Sequence, residues 1–158
     1  MRTISERLEA LRTNKARTAC IDDRLYAIDG KICELADILT PRGYQQEWLT
    51  ELKERQQILD TMQQERRTQD EEEERQLLGM IERLQKPRMR KILRLLYIDG
   101  MSITAATAIM YADHIKRTGK PATAYTATMH RGRLAAIARL EQMKDEQEHG
   151  VRAETMEP

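Results

Sequence analysis

The side chains best suited to chemistry sit late in the chain. Thr123, Tyr125, Thr126, Thr128, Arg131 and Arg133 fall in one short stretch. Hydroxyls of this kind bond bases or phosphates, and arginine makes bidentate contacts to guanine. Upstream, Lys116, Arg117 and Lys120, and earlier Arg88, Arg90, Lys91 and Arg94, supply cations that can neutralise phosphates. This is the chemistry of binding a polyanion rather than of breaking a bond.

Other reactive types fall short of a site. His114 and His130 lie sixteen residues apart with no cysteine or further histidine close by, which is not a zinc pattern. Gly119-Lys120 lacks the second glycine and the hydroxyl residue of a phosphate loop. Cys20 and Cys33 share one helical pattern, roughly 20 Å apart at 1.5 Å per residue. A disulfide needs Cα atoms within about 7 Å, so both are expected as buried free thiols. The run Asp70-Glu71-Glu72-Glu73-Glu74 is flanked by Arg66, Arg67 and Arg75 at helical spacing, and reads as a solvated helix face. Neither an enzyme signature, a cofactor box nor a metal set emerges.

Charge places the basic groups in context. The formal net charge is only +1. Residues 86–144, however, carry twelve basic groups against Asp99, Asp113 and Glu141, a net +9. Residues 60–85 and 145–158 each carry net −4. A block of this size and charge matches a small nucleic-acid-binding domain.

Composition says what must position that block. Aromatic residues make up 4%, charged residues 34%, and there are only 7 Gly and 4 Pro. Long helices fit this composition better than turn-rich sheets. Ile21, Leu25, Ile28, Ile32, Leu35 and Leu39 form a heptad seam. Backwards it weakens through Thr18, Asn14, Leu11, Arg7 and Ile4, and it stops at Thr40-Pro41-Arg42-Gly43. A second seam, Trp48, Leu52, Arg55, Leu59 and Met62, fades through 63–76 and revives at Leu77, Ile81 and Leu84. Trp48 is either core or an exposed anchor for a partner. Two such helices joined by a short turn must fold back on each other.

Lys86-Pro87 marks the next boundary. Pro87–Asp99 carries one apolar stripe, Gly100 ends it, and Ser102 is the expected N-cap of a helix over 103–116. Gly119 and Pro121 interrupt before a last helix over 123–144. The acidic, aperiodic stretch 145–158 is expected to be disordered.

The stretch from Ile81 to Ser102, IERLQKPRMRKILRLLYIDGMS, resembles the start of sigma-70 region-4-like helix-turn-helix modules. These occur in late transcription regulators of phages of Gram-positive bacteria, of the RinA/ArpU type. Met129-His130-Arg131-Gly132-Arg133-Leu134 echoes the family's last helix. The stretch Tyr111–Ala122 is longer than the connection such modules usually have, and Ile103-Thr104-Ala105-Ala106 replaces their acidic pair. The resemblance implies a helical hairpin in front of a DNA-binding domain, and transcription activation as the role.

The expectation is therefore an all-α chain: a long antiparallel helical hairpin (coiled coil) over 1–85, a three-helix helix-turn-helix domain over 86–144, and a tail. The expected partners are double-stranded DNA, host RNA polymerase and a second copy bound through the hairpin, whose seam positions Arg7, Asn14 and Thr18 look poorly satisfied. DNA would be met by Arg88, Lys91, Lys116, Arg117, Lys120, Thr123, Tyr125, Thr126, Thr128, Arg131 and Arg133. The competing expectation is an adaptor that binds RNA polymerase or another phage protein without reading DNA. No run approaches the roughly 18 apolar residues of a membrane span, so the expected location is the bacterial cytoplasm, at the nucleoid.

Overall fold

The computed structural model describes residues 1–37 and 43–155. Among these the chain is all-α, with no strand. The helices are α1 (Ile4–Ala36), α2 (Gly43–Glu82), α3 (Pro87–Leu93), α4 (Ile103–Met110), α5 (Ala112–Thr118) and α6 (Thr126–Thr155). A π-helical turn, Arg94–Ile98, extends α3, and a 3-10 turn, Ala122–Tyr125, leads into α6. The expected stop at Thr40-Pro41-Arg42 and the seam position Leu39 lie outside the described residues. No described helix is long and apolar enough to cross a membrane.

The chain forms two compact units, one of Met1–Arg12 with Glu74–Pro158 and one of Thr13–Glu73. This differs from the boundary expected at residue 85. Ile4, Leu8 and Leu11 of α1 and Leu77, Ile81 and Leu84 of α2 are buried in the same core as Ile92, Leu93, Leu96, Tyr97, Met129 and Leu140. Hydrophobic burial, the dominant favourable term, thus assigns both helix ends to the basic block.

In the first unit α1 begins with a capping box that the sequence reading missed. The Thr3 amide donates to Glu6 Oε2 at 2.9 Å, and the Glu6 amide donates to Thr3 Oγ1 at 3.2 Å. Glu141 of α6 accepts from the next two orphan donors, the amides of Ile4 (2.5 Å) and Ser5 (3.4 Å). After α3 the chain buries Leu95, Leu96 and Tyr97 in succession. Three consecutive residues span about 200° of an α-helix, a broad arc for one apolar stripe, and the wider π turn brings them closer to one face. Gly100 (φ 67) then takes the left-handed conformation that side chains disfavour.

Two expected helices change form. The helix over 103–116 is divided at Tyr111 (φ −112, ψ 21) into α4 and α5, and the capping by Ser102 is present, with the Ala105 amide donating to its Oγ at 3.2 Å. Of the stretch 145–158 expected to be a disordered tail, residues 145–155 are helical, as α6 continues to Thr155, and 156–158 lie outside the described residues. Lack of apolar periodicity there reflects exposure on all sides rather than absence of helix. Propagating a formed helix costs little, and Glu, Gln and Arg are good helix formers.

In the second unit α1 and α2 run antiparallel, as successive side-chain pairs demonstrate. Asn14 donates to Asp70 (3.3 Å), Gln63 to Asp22, and Gln56 to Asp29. On α2 within this unit the residues turned at least partly inward are Gln45, Leu49, Leu52, Gln56, Leu59, Gln63, Arg66, Asp70 and Glu73, a 3-4 repeat. The seam therefore does not fade after Met62; it becomes polar. Arg55 and Met62, expected inside, are exposed, and so is Trp48 at 45%. Cys20 and Cys33 are exposed too, contrary to expectation. Each sits one residue, about 100°, off the α1 seam at Ile21 and Ile32.

Candidate nucleic-acid interface

α3 starts where its sequence dictates, with Lys86 extended (φ −82, ψ 115) before Pro87 at the first helical position. Arg90 of α3 and Arg94 of the π turn hold this segment to the end of α2 and the residues just after it. Arg90 Nη1 donates to the Leu84 carbonyl at 2.6 Å, and Arg94 pairs with Glu82 at 3.1 Å. Both are spent on this junction. On α6, an ideal Cβ at Gly132 would lie 2.8 Å from Ile92 Cδ1, so the two backbones cross closely there.

Beside that crossing, an aromatic cluster joins α3, α4, α5 and the 3-10 turn. The Tyr111 and Tyr125 rings stack at 5.0 Å between centroids, 10° from parallel. His114 meets both rings edge-on, at 5.8 Å and 6.1 Å. Arg88 lies over Tyr111 at 5.1 Å and donates to its hydroxyl. Thr118 Oγ1 lies 2.9 Å from the Tyr125 hydroxyl. The break in the helix at Tyr111 is what turns this ring towards its partners. Tyr111, His114 and Thr118 stand at 3-4 spacing on one face, a signal the sequence reading passed over.

The residues expected to meet DNA thus divide. Lys91, Lys116, Lys120 and Arg131 are exposed and make no ion pair among the described residues. Arg117 is exposed, bonded only to the Asp113 carbonyl of its own helix at 3.4 Å. Lys116 and Arg117 belong to the last turn of α5, where the helix dipole favours cations. Thr123 and Thr128 are exposed and Thr126 is half-buried. Tyr125 and Arg88 are committed to the aromatic cluster.

Arg133 points elsewhere and is a correction. Its Nη1 donates to the Tyr97 hydroxyl at 3.0 Å and reaches Glu9 at 3.4 Å, and its side chain is only 24% exposed. Arg133 Nε is buried without a partner. Tyr97 in turn donates to Glu9 at 3.0 Å. Burial raises the Tyr97 phenol above its ordinary pKa of 10.0, and Arg133 opposes that shift. The cause of the missed role is tertiary, since Glu9 lies far away in sequence.

What remains is a set of unpaired cations and hydroxyls carried by α3, α5 and the start of α6, held by an aromatic cluster. It offers positive charge and hydrogen-bond donors to a ligand. No family model, curated protein or solved structure matches the chain.

Proposed function

We propose that this chain is a sequence-specific, DNA-binding transcription regulator, a helical arm followed by a helix-turn-helix domain. Its role would be that of a phage or prophage late-gene activator. The observation that carries the reading is the set Lys91, Lys116, Arg117, Lys120 and Arg131, exposed within the net +9 block and making no ion pair among the described residues. The 3-10 turn presents Thr123, and the first turns of α6 present Thr128 and Arg131, for base edges, while α3, α5 and Lys120 supply phosphate contacts. In this reading α4, capped by Ser102, braces the helices that meet the duplex.

A gel-shift series on upstream phage DNA with a salt titration tests it. Four phosphate contacts, by Lys91, Lys116, Arg117 and Lys120, give a slope of log K against log salt of roughly −3.5 to −4. Lys116→Ala and Lys120→Ala should weaken all duplexes alike and each reduce the slope by about 1. Arg131→Ala should cost about 1–3 kcal/mol on the preferred site only.

A second reading is favoured by one finding. Arg133, Arg88 and Tyr125 are engaged within the chain, which leaves few side chains to read bases. An adaptor binding host RNA polymerase would need no base readers. Binding to polymerase together with salt-insensitive or absent duplex binding would select it.

A further inference from the structure

We propose that the outer face of α2 in the Thr13–Glu73 unit is a homodimer interface, on which a second copy of the chain docks antiparallel. Tyr44 is 72% exposed, Trp48 45%, Ile58 60% and Met62 41%. With Glu51 and Arg55 these residues form a single stripe, Tyr44, Trp48, Glu51, Arg55, Ile58, Met62, at 4-3-4-3-4 spacing. That is a second heptad seam on the same helix. Its residues lie about 100° around the helix from the inner seam of Leu49, Leu52, Gln56, Leu59 and Gln63. A helix in a four-helix bundle touches two neighbours at about this angle. α1 occupies one side, and the stripe is the other.

The order of residues along the stripe identifies the occupant. It is symmetric in character about Lys53. Under a twofold axis at that level, Trp48 faces Ile58 of the second copy, Tyr44 faces Met62, and Glu51 faces Arg55. The pairing also satisfies antiparallel coiled-coil geometry, in which each a position meets a d position. A twofold interface must be self-complementary, which an unrelated partner does not demand. Within one chain Glu51 and Arg55 already pair at 2.9 Å, both more than half exposed. Across the axis two such pairs interleave into a ring of alternating charge, flanked on both sides by apolar layers. The polar seam positions Arg7, Asn14 and Thr18 do not drive association, because each finds a partner within the chain: Gln76, Asp70 and the Asn14 carbonyl.

Docking through this face does not depend on DNA binding and shows itself in association alone. Sedimentation velocity of the full chain across about 1 to 100 μM should reveal a monomer–dimer equilibrium. Trp48→Glu with Ile58→Glu should weaken it at least about tenfold while helicity by circular dichroism is unchanged, since neither side chain is core. Glu51→Arg alone and Arg55→Glu alone should each weaken association, and the double swap should restore it. In a Cys20→Ser, Cys33→Ser background, chains with Trp48→Cys mixed with chains with Ile58→Cys should cross-link through a short bismaleimide, and either chain alone should not. A monomer at every concentration overturns the proposal. So does a dimer indifferent to these substitutions, or one in which Trp48→Cys chains cross-link to each other.

Discussion

Tyr97, Arg133 and Glu9 form the most consequential polar contact at the level of single residues. The Tyr97 ring is fully buried, and its hydroxyl serves as donor to Glu9 and acceptor from Arg133. Tyr97→Phe should cost about 1–2 kcal/mol in urea unfolding, because it leaves Arg133 and Glu9 short of a partner. The pH dependence has a definite sign. Folding raises the phenol's pKa, so its contribution is complete below the ordinary tyrosine value of 10.0 and falls as pH rises above it. Stability of the Tyr97→Phe chain should fall less steeply over that alkaline window. Arg133→Ala should destabilise by about 1–2 kcal/mol, whereas Arg131→Ala should stay within about 0.5 kcal/mol, being an exposed surface change. Thermal melts of the two variants separate an arginine that holds the fold from one that faces solvent. Sequence alone could not divide them, since both lie in the same basic helix and only the position of Glu9 distinguishes their environments.

The elements were readable to different degrees, and the reasons are physical. Composition and heptad spacing were enough for the all-α class, and Lys86-Pro87, Gly100 and Ser102 marked helix ends that the structure contains. The α2 seam was placed one residue off, because Arg55 and Met62 look better inside than Gln56 and Gln63. The glutamines face inward because Asp29 and Asp22 of α1 accept from them. Buried polar groups tolerate this only when bonded, and such pairing is invisible to a search for apolar residues. The break at Tyr111 was likewise hidden, since the ring it turns stacks on Tyr125 of a later element. At the crossing of α3 and α6, Gly132 faces Ile92, which is 1% exposed and has little room to yield. Gly132→Val should therefore destabilise by about 2–3 kcal/mol through overpacking, outweighing any gain in helix propensity. A chemical denaturation curve with unchanged slope would register that loss.

Across the whole molecule, the near-neutral charge conceals a basic block between acidic flanks, and the compact units cut across the expected domains. Met1–Arg12 belongs to the same unit as Glu74–Pro158. Deleting residues 1–12 removes Ile4, Leu8 and Leu11 from that core and should lower the melting temperature of the basic unit, not merely shorten an arm. Native-state hydrogen exchange of α3 and α6 amides should speed up in the truncated chain. The bond from the Ile4 amide to Glu141 spans 137 positions. Translation therefore releases the first turn of α1, with its Thr3–Glu6 capping box, long before Glu141 exists to accept from Ile4. The segment around Ile4 must wait, unsheltered, until residue 141 has left the ribosome, so the order of synthesis and the order of completion run opposite ways across this contact.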